Sequence, residues 1–278
     1  MNIEILDRAG RKAQARETLR SAQVSPKLFT ALYLGLILLL NTVSLLATTN
    51  SGAASLLSTF ADILTSLAGV VLSAGFVLYC MAIRRGERAE YLTLFDGFSI
   101  VGKVIGLTIV TSAFIFLWSM LFVIPGIIAS YRYHFALFNL LENPDLSIME
   151  ALNMSKQQTL GYKSQLFMLD LSYIGWNLLA GLPAYLYVSY AANKVMMATV
   201  NGVGPEVFLE TLMSLAVQSI VIFLAAAVWS LVVQLFYQPN YQCVQLDYFD
   251  AAKRTSGIDP LRSVSGTGFT GPDGLGGL

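Results

Sequence analysis

Asp170 is the residue of this sequence best placed to do chemistry, because it stands seven residues past Lys163 inside an apolar stretch. Seven helical residues carry its carboxyl about 10 Å beyond that basic boundary. A carboxylate at the centre of a membrane helix costs roughly 2.5–3.5 kcal/mol on insertion scales, so it is either held by a partner or used. Arg132 precedes Asn143 by eleven positions, about 16 Å from the same boundary on an antiparallel neighbour. The reach of a guanidinium closes that difference, so the spacing predicts an Asp170–Arg132 pair with His134 beside it. Tyr131, Tyr133 and Ser172 supply hydroxyls to the same neighbourhood. Two readings stay open. In one, the cluster locks helix to helix; in the other, Asp170 titrates and His134, the single histidine of the chain, relays its proton.

Other chemistries lack their parts. One histidine excludes a His-rich metal site and the His-Glu-x-x-His arrangement. There is no Gly-x-Ser-x-Gly elbow and no P-loop, so hydrolysis by a serine or of a nucleotide has no scaffold here. The expectation is therefore no enzyme, no metal and no cofactor. Cys80 and Cys243 read as two thiols flanking membrane ends, not as a disulfide framework. Lys and Arg balance Asp and Glu at 17 each, which argues against a nucleic-acid partner.

The elements that must position Asp170 are helices of membrane length. Hydrophobic residues make up 55% of the 278 and charged residues 12%, with a mean hydropathy of +0.64. Leu28–Ala47 contains no charge, and roughly 20 apolar residues span a hydrocarbon core of about 30 Å. Spans are expected at 28–49, 60–83, 101–124, 127–143, 164–188 and 212–237. Pro125 and Gly126 break the third from the fourth, since proline removes a donor and clashes with the preceding turn. Basic residues set the orientation. If 127–143 crosses back, fifteen of the seventeen face the cytoplasm, leaving out only Arg132 and Lys194. A re-entrant continuation of a kinked third helix is the competing topology.

Residues 1–27 read as a cytoplasmic amphipathic segment, with Ile3, Leu6, Ala9, Ala13 and Leu19 roughly on one face and arginines around the rest. Residues 251–278, rich in glycine, read as a disordered tail. Asp62 is expected to cap the second span, and Ser147-Ile148-Met149-Glu150 to open a short helix over 148–160. Arg84-Arg85-Gly86-Glu87-Arg88 could attract anionic lipid heads, although setting topology is the plainer role. Trp118, Trp176 and Trp229 read as core residues.

Between Leu94 and Trp176 a run of motifs stands in a particular order. It begins with Leu94-Phe95-Asp96-Gly97-Phe98 and continues through Leu117–Ile127, Glu142-Asn143-Pro144, Ser155-Lys156 and Gly161-Tyr162-Lys163. It ends with Leu166–Trp176, and Tyr237-Gln238-Pro239 and Asp247-Tyr248-Phe249 close the pattern further on. This order resembles the DUF975 family of bacterial integral membrane proteins. The resemblance implies a multi-helix membrane domain without an established biochemical activity.

The expected protein is all-α, a polytopic membrane bundle of about six transmembrane helices, with a membrane domain over 28–250. It is expected in a bacterial cytoplasmic membrane with both termini cytoplasmic. It would act without catalysis through membrane lipids, other membrane proteins or a second copy of itself. The alternative is a small-solute or proton-linked transporter or channel subunit built on the Asp170 and Arg132 region.

Overall fold

The computed structural model describes residues 3–51 and 56–261, and all the regular structure among them is helical. The helices are α1 (Arg8–Arg20), α2 (Pro26–Ser51), α3 (Leu56–Arg84), α4 (Val101–Leu121), α5 (Val123–Arg132), α6 (Ala136–Glu142), α7 (Ile148–Gln158), α8 (Lys163–Leu171), α9 (Ile174–Val200) and α10 (Pro205–Ser256). A 3-10 segment, Tyr91–Ile100, joins α3 to α4.

Among the described residues, four stretches are long and apolar enough to cross a membrane: Pro26–Ser44, Thr59–Arg84, Tyr91–Leu121 and Pro205–Ser256. The expected count was six. The stretch 127–143 is instead split between α5 and α6, of 10 and 7 residues, by a turn at Tyr133–Phe135. The stretch 164–188 is split between α8 and α9 at Ser172-Tyr173. α9 has the length, but Asn177, Tyr185, Tyr187, Tyr190, Asn193 and Lys194 dilute its apolar character.

The break after α4 falls at Phe122, which is extended (φ −161°, ψ 157°), and not at Pro125-Gly126. Pro125 lies in the first turn of α5, where its missing N–H had no helical acceptor to lose. Gly126 serves a different purpose from the expected break. A Cβ there would stand 3.0 Å from Ser119 Cα and closer still to its side chain, so the glycine lets α5 fold back against α4.

Burial divides the molecule into two parts. One end of the bundle is a dense body built from the second half of α3, the 3-10 segment, α6, α7, α8 and the last third of α10. Tyr79, Leu94, Phe135, Leu140, Leu152, Leu169, Val244 and Tyr248 are fully buried there. α3 is its axis: 56% of its apolar window is buried, against 11% for the stretch containing α4 and 12% for α10. Elsewhere the helices present large side chains outward, with Phe116 62% exposed and Phe122 75% exposed. So continuous an apolar surface is stable in lipid and unstable in water. Trp118, Trp176 and Trp229 belong to this outward surface rather than to the core, each at least 40% exposed.

The axis is gripped by the Leu94–Phe98 motif. A Cβ on Gly75 would lie 1.9 Å from Leu94 O, and one on Gly97 would lie 2.6 Å from Val71 O. Only glycine at both positions lets the 3-10 backbone lie directly on α3.

Charges close the body. Arg84 pairs with Asp247 at 2.6 Å and Asp250 at 2.7 Å, while Glu142 receives Arg85 at 3.2 Å and Lys253 at 2.8 Å. Both arginines of the Arg84–Arg85 pair thus hold carboxylates of the body, Arg84 half-buried and Arg85 at the surface. Ser147 and Glu150 form the expected capping box, and α7 follows. Its Ala151, Leu152 and Ser155 face is buried against protein. Asp62 does not cap a helix. It lies inside α3 and accepts a hydrogen bond from Ser44 of α2.

α10 has 52 residues, about 78 Å at 1.5 Å per residue, too long for a bilayer alone. Its final third belongs to the packed body. The helix continues to Ser256, and Pro260 O and Ile258 O accept from Asn143 and Gln158. Residues 251–261 are therefore structured, although the sequence reading began the tail at 251. The rest of that expectation, 262–278, lies outside the described residues.

Candidate functional site: a carboxylate capped by two tyrosines

Asp170 sits near the C-terminal end of α8, one residue before the last of the helix. Its Oδ2 accepts from Tyr131 Oη at 2.6 Å, and its Oδ1 accepts from Tyr241 Oη at 2.7 Å. Three helices meet at this carboxyl: α5, α8 and α10. Both oxygens are engaged by short O–H donors, the kind of bond an ionised acceptor strengthens.

Arg132 is not the partner of Asp170. Among the described residues its guanidinium makes no ion pair, and its contribution is its carbonyl, which accepts from Ser155 at 3.0 Å and Thr159 at 3.3 Å. Successive helical residues differ by about 100° in direction, so α5 cannot aim Tyr131 and Arg132 at one acceptor. The tyrosine won that position. His134 packs by its ring against Phe135 and Phe138, 5.6 and 5.9 Å between centroids, and stands 6.4 Å from Tyr131. Its Nε2 is buried without a hydrogen-bond partner among the described residues.

Ser172 faces another way. Its Oγ donates to Leu169 O and accepts from Lys12 Nζ at 2.8 Å. Lys12 also lies 3.9 Å from the centroid of the Tyr173 ring. Tyr173 Oη donates to Asn240 Oδ1 at 2.6 Å, and Asn240 Nδ2 donates to Lys12 O at 3.0 Å. The predicted cluster is thus divided: Asp170 and Tyr131 touch, His134 stands beside Tyr131, Ser172 belongs to a second network, and Arg132 turns away.

The amphipathic segment provides that second network. Asp7 caps α1 by accepting from Ala9 N and Gly10 N. The stripe turned to the body is Arg8, Lys12, Ala15 and Leu19, not Ala9 and Ala13, which are exposed. Arg8 reaches Met168 O at 3.2 Å, and Ala15 is buried. Lys12 has its pKa lowered, first by burial and then by repulsion from Arg16 and Arg8.

Sequence reasoning missed Tyr241. The available signal was the spacing of Tyr237, Tyr241 and Tyr248, which places them on one side of a helix if α10 is read through Pro239. Tyr237 Oη binds Asn177 Oδ1 at 2.7 Å, so the same face ties α9 to α10.

The arrangement is that of an all-helical protein whose apolar helices are fit for a membrane and whose polar groups bind one helix to another. Residues 120–249 match the model of the family described as "Protein of unknown function (DUF975)". Over that segment the chain matches the family its motifs resemble. The match includes Tyr131, Asp170 and Tyr241, whereas the Leu94–Phe98 grip on α3 lies before it. No curated protein and no solved structure matches the chain.

Proposed function

We propose that this is a multi-pass protein of the bacterial cytoplasmic membrane that acts without catalysis, through lipid or protein partners. The observation that carries the reading is that Tyr131 and Tyr241 each engage one oxygen of Asp170. A carboxylate whose two oxygens accept from two different helices serves as a junction that ties α5 and α10 to α8.

The six-crossing topology with both ends cytoplasmic is part of the proposal. Its support is the contact between the N-terminal segment and the end of α10, where Glu4 pairs with Arg254 at 3.1 Å. Ends that touch share a side, which requires an even number of crossings. α2, α3, α4, α9 and α10 supply five, and the folded-back α5–α6 pair supplies the sixth.

A second reading, a proton-linked transporter, draws on the unpartnered Nε2 of buried His134 near Asp170. Proteoliposomes carrying an internal pH dye separate the two. The proposal expects no proton flux above protein-free vesicles from wild type or Asp170→Asn. A flux that Asp170→Asn abolishes would overturn it in favour of transport.

A further inference from the structure

The cationic residues of this chain have unequal fates. Arg84 and Lys253 are neutralised within the packed body, exposed Arg85 pairs with Glu142, and Arg11 and Arg254 share Glu4. Arg16, Arg20 and Lys27 have no carboxylate within 4.0 Å among the described residues. All three line one cavity of about 510 Å³, together with Lys12.

That cavity lies between α1, the 21–25 linker and the start of α2 on one side, and the α9 start and α10 near Pro239 on the other. No carboxylate among the described residues lines it. The opposite wall is aromatic, with Trp176 and Phe236 among its residues. Phe236 is 63% exposed and continues into the outward apolar face of α10. Lys27 Nζ stands 5.5 Å from the Phe236 ring centroid, so the positive and apolar walls meet there. Lys12 has its pKa lowered first by burial and next by the positive charges of Arg16 and Arg8 beside it.

We propose that this cavity holds the phosphate of an anionic phospholipid, with Lys12, Arg16, Arg20 and Lys27 around the headgroup and the acyl chains leaving along Trp176 and Phe236. The chemistry follows from the two walls. Guanidinium and ammonium groups bind phosphate by charge-assisted hydrogen bonds. Aromatic rings with one apolar and one wet edge suit the level of lipid headgroups. A free anion would satisfy the cations but leave the apolar wall wet, so the lipid is the better occupant. α1 would then be fastened twice, by Ser172 and Asn240 to the protein and by its remaining cations to lipid. This inference rests on the reading of the chain as membrane-embedded and names the lipid class that it engages.

The test uses full-length protein purified in a neutral detergent, with thermal unfolding followed while phosphatidylglycerol or phosphatidylcholine is titrated in. The proposal expects saturable stabilisation by phosphatidylglycerol and little by phosphatidylcholine. Each basic residue at an anionic surface is worth about fivefold in affinity, so Arg16→Gln/Arg20→Gln/Lys27→Gln should weaken the response on the order of 100-fold. All three side chains are exposed, so the variant should fold. Lys194→Gln, which removes a charge from α9 far from this cavity, should respond as wild type. Equal responses in wild type and triple variant, or equal responses to both lipids, would overturn the proposal. An equal response to inorganic phosphate alone would also overturn it, in favour of a free-anion site. Resistance of the wild-type protein to alkaline extraction from membranes is scored in parallel. Its loss would refute the membrane reading itself, whereas retained resistance with unchanged lipid response refutes only the site.

Discussion

Removing the Asp170 carboxyl should cost more than removing either tyrosine hydroxyl, because it leaves two donors orphaned where each tyrosine change leaves none. Tyr131→Phe and Tyr241→Phe each delete one hydrogen bond, of 2.6 or 2.7 Å, to an acceptor that keeps the other. Hydrogen bonds to charged groups contribute about 1.5–3 kcal/mol, and those between membrane helices reach at most about 1.7. The ranges meet at about 1.5 kcal/mol for each tyrosine. Asp170→Ala loses both bonds and strands both hydroxyls, so about 3–4 kcal/mol is expected. Asp170→Asn keeps an acceptor and adds an N–H that a hydroxyl oxygen can accept, which places it near 1–2 kcal/mol. Unfolding of the detergent-solubilised protein by sodium dodecyl sulfate, followed by tryptophan fluorescence, gives the four values. The double variant Tyr131→Phe/Tyr241→Phe completes a cycle, and coupling of about 0.5 kcal/mol or more is expected because the hydroxyls share one carboxylate. If Asp170→Ala were within about 0.5 kcal/mol of wild type, the carboxylate would not be a junction.

Four further outcomes follow from the same packing. Gly75→Ala should destabilise by about 2–3 kcal/mol or prevent folding, since its Cβ would meet Leu94 O at 1.9 Å. Gly35→Ala, with nothing within 4 Å, should be neutral or stabilising by about 0.5 kcal/mol in the same unfolding titration. Arg84→Met leaves Asp247 and Asp250 without their shared cation, and about 2–3 kcal/mol is expected because these groups are only partly exposed. Ser147→Ala should lower stability by about 1 kcal/mol through loss of the α7 cap. It should also remove a pH dependence. Hydrogen bonds from Ser147, side chain first and backbone second, hold Glu150 below the usual carboxylate range. That contribution is present above the ordinary glutamate pKa and fades as pH falls through the lowered folded value. Stability measured from pH 7 down to 3 should therefore fall less steeply in Ser147→Ala.

Much of this architecture was readable because length and apolarity are properties of short windows. α1, the capping box of α7 and the apolar cores of α2, α3, α4 and α10 follow from periodicity and charge alone. Helix interruptions were less legible. Phe122 carries no breaker, and the chain turns there because Gly126 can approach Ser119, a tertiary fact. Pro125 is read as a break, yet it sits in the first turn of α5, while Pro239 lies inside a continuous helix. The site was half visible. Asp170 stood out by its cost in an apolar stretch, but the choice of Tyr131 over Arg132 depends on the facing of α5, and Tyr241 on α10 passing beyond 237. Arg84 was read as a surface charge because Asp247 and Asp250 are some 160 residues distant in sequence.

The most direct test of the account is the side of the membrane on which each chain end lies. Reporters active only in the cytoplasm, and others active only outside it, would be fused to each terminus of the intact chain. Because Glu4 meets Arg254, both ends should score on the same side, and the distribution of basic residues predicts that this side is the cytoplasm. Opposite scores for the two ends would contradict the even crossing number and the closed body that joins α1 to the end of α10.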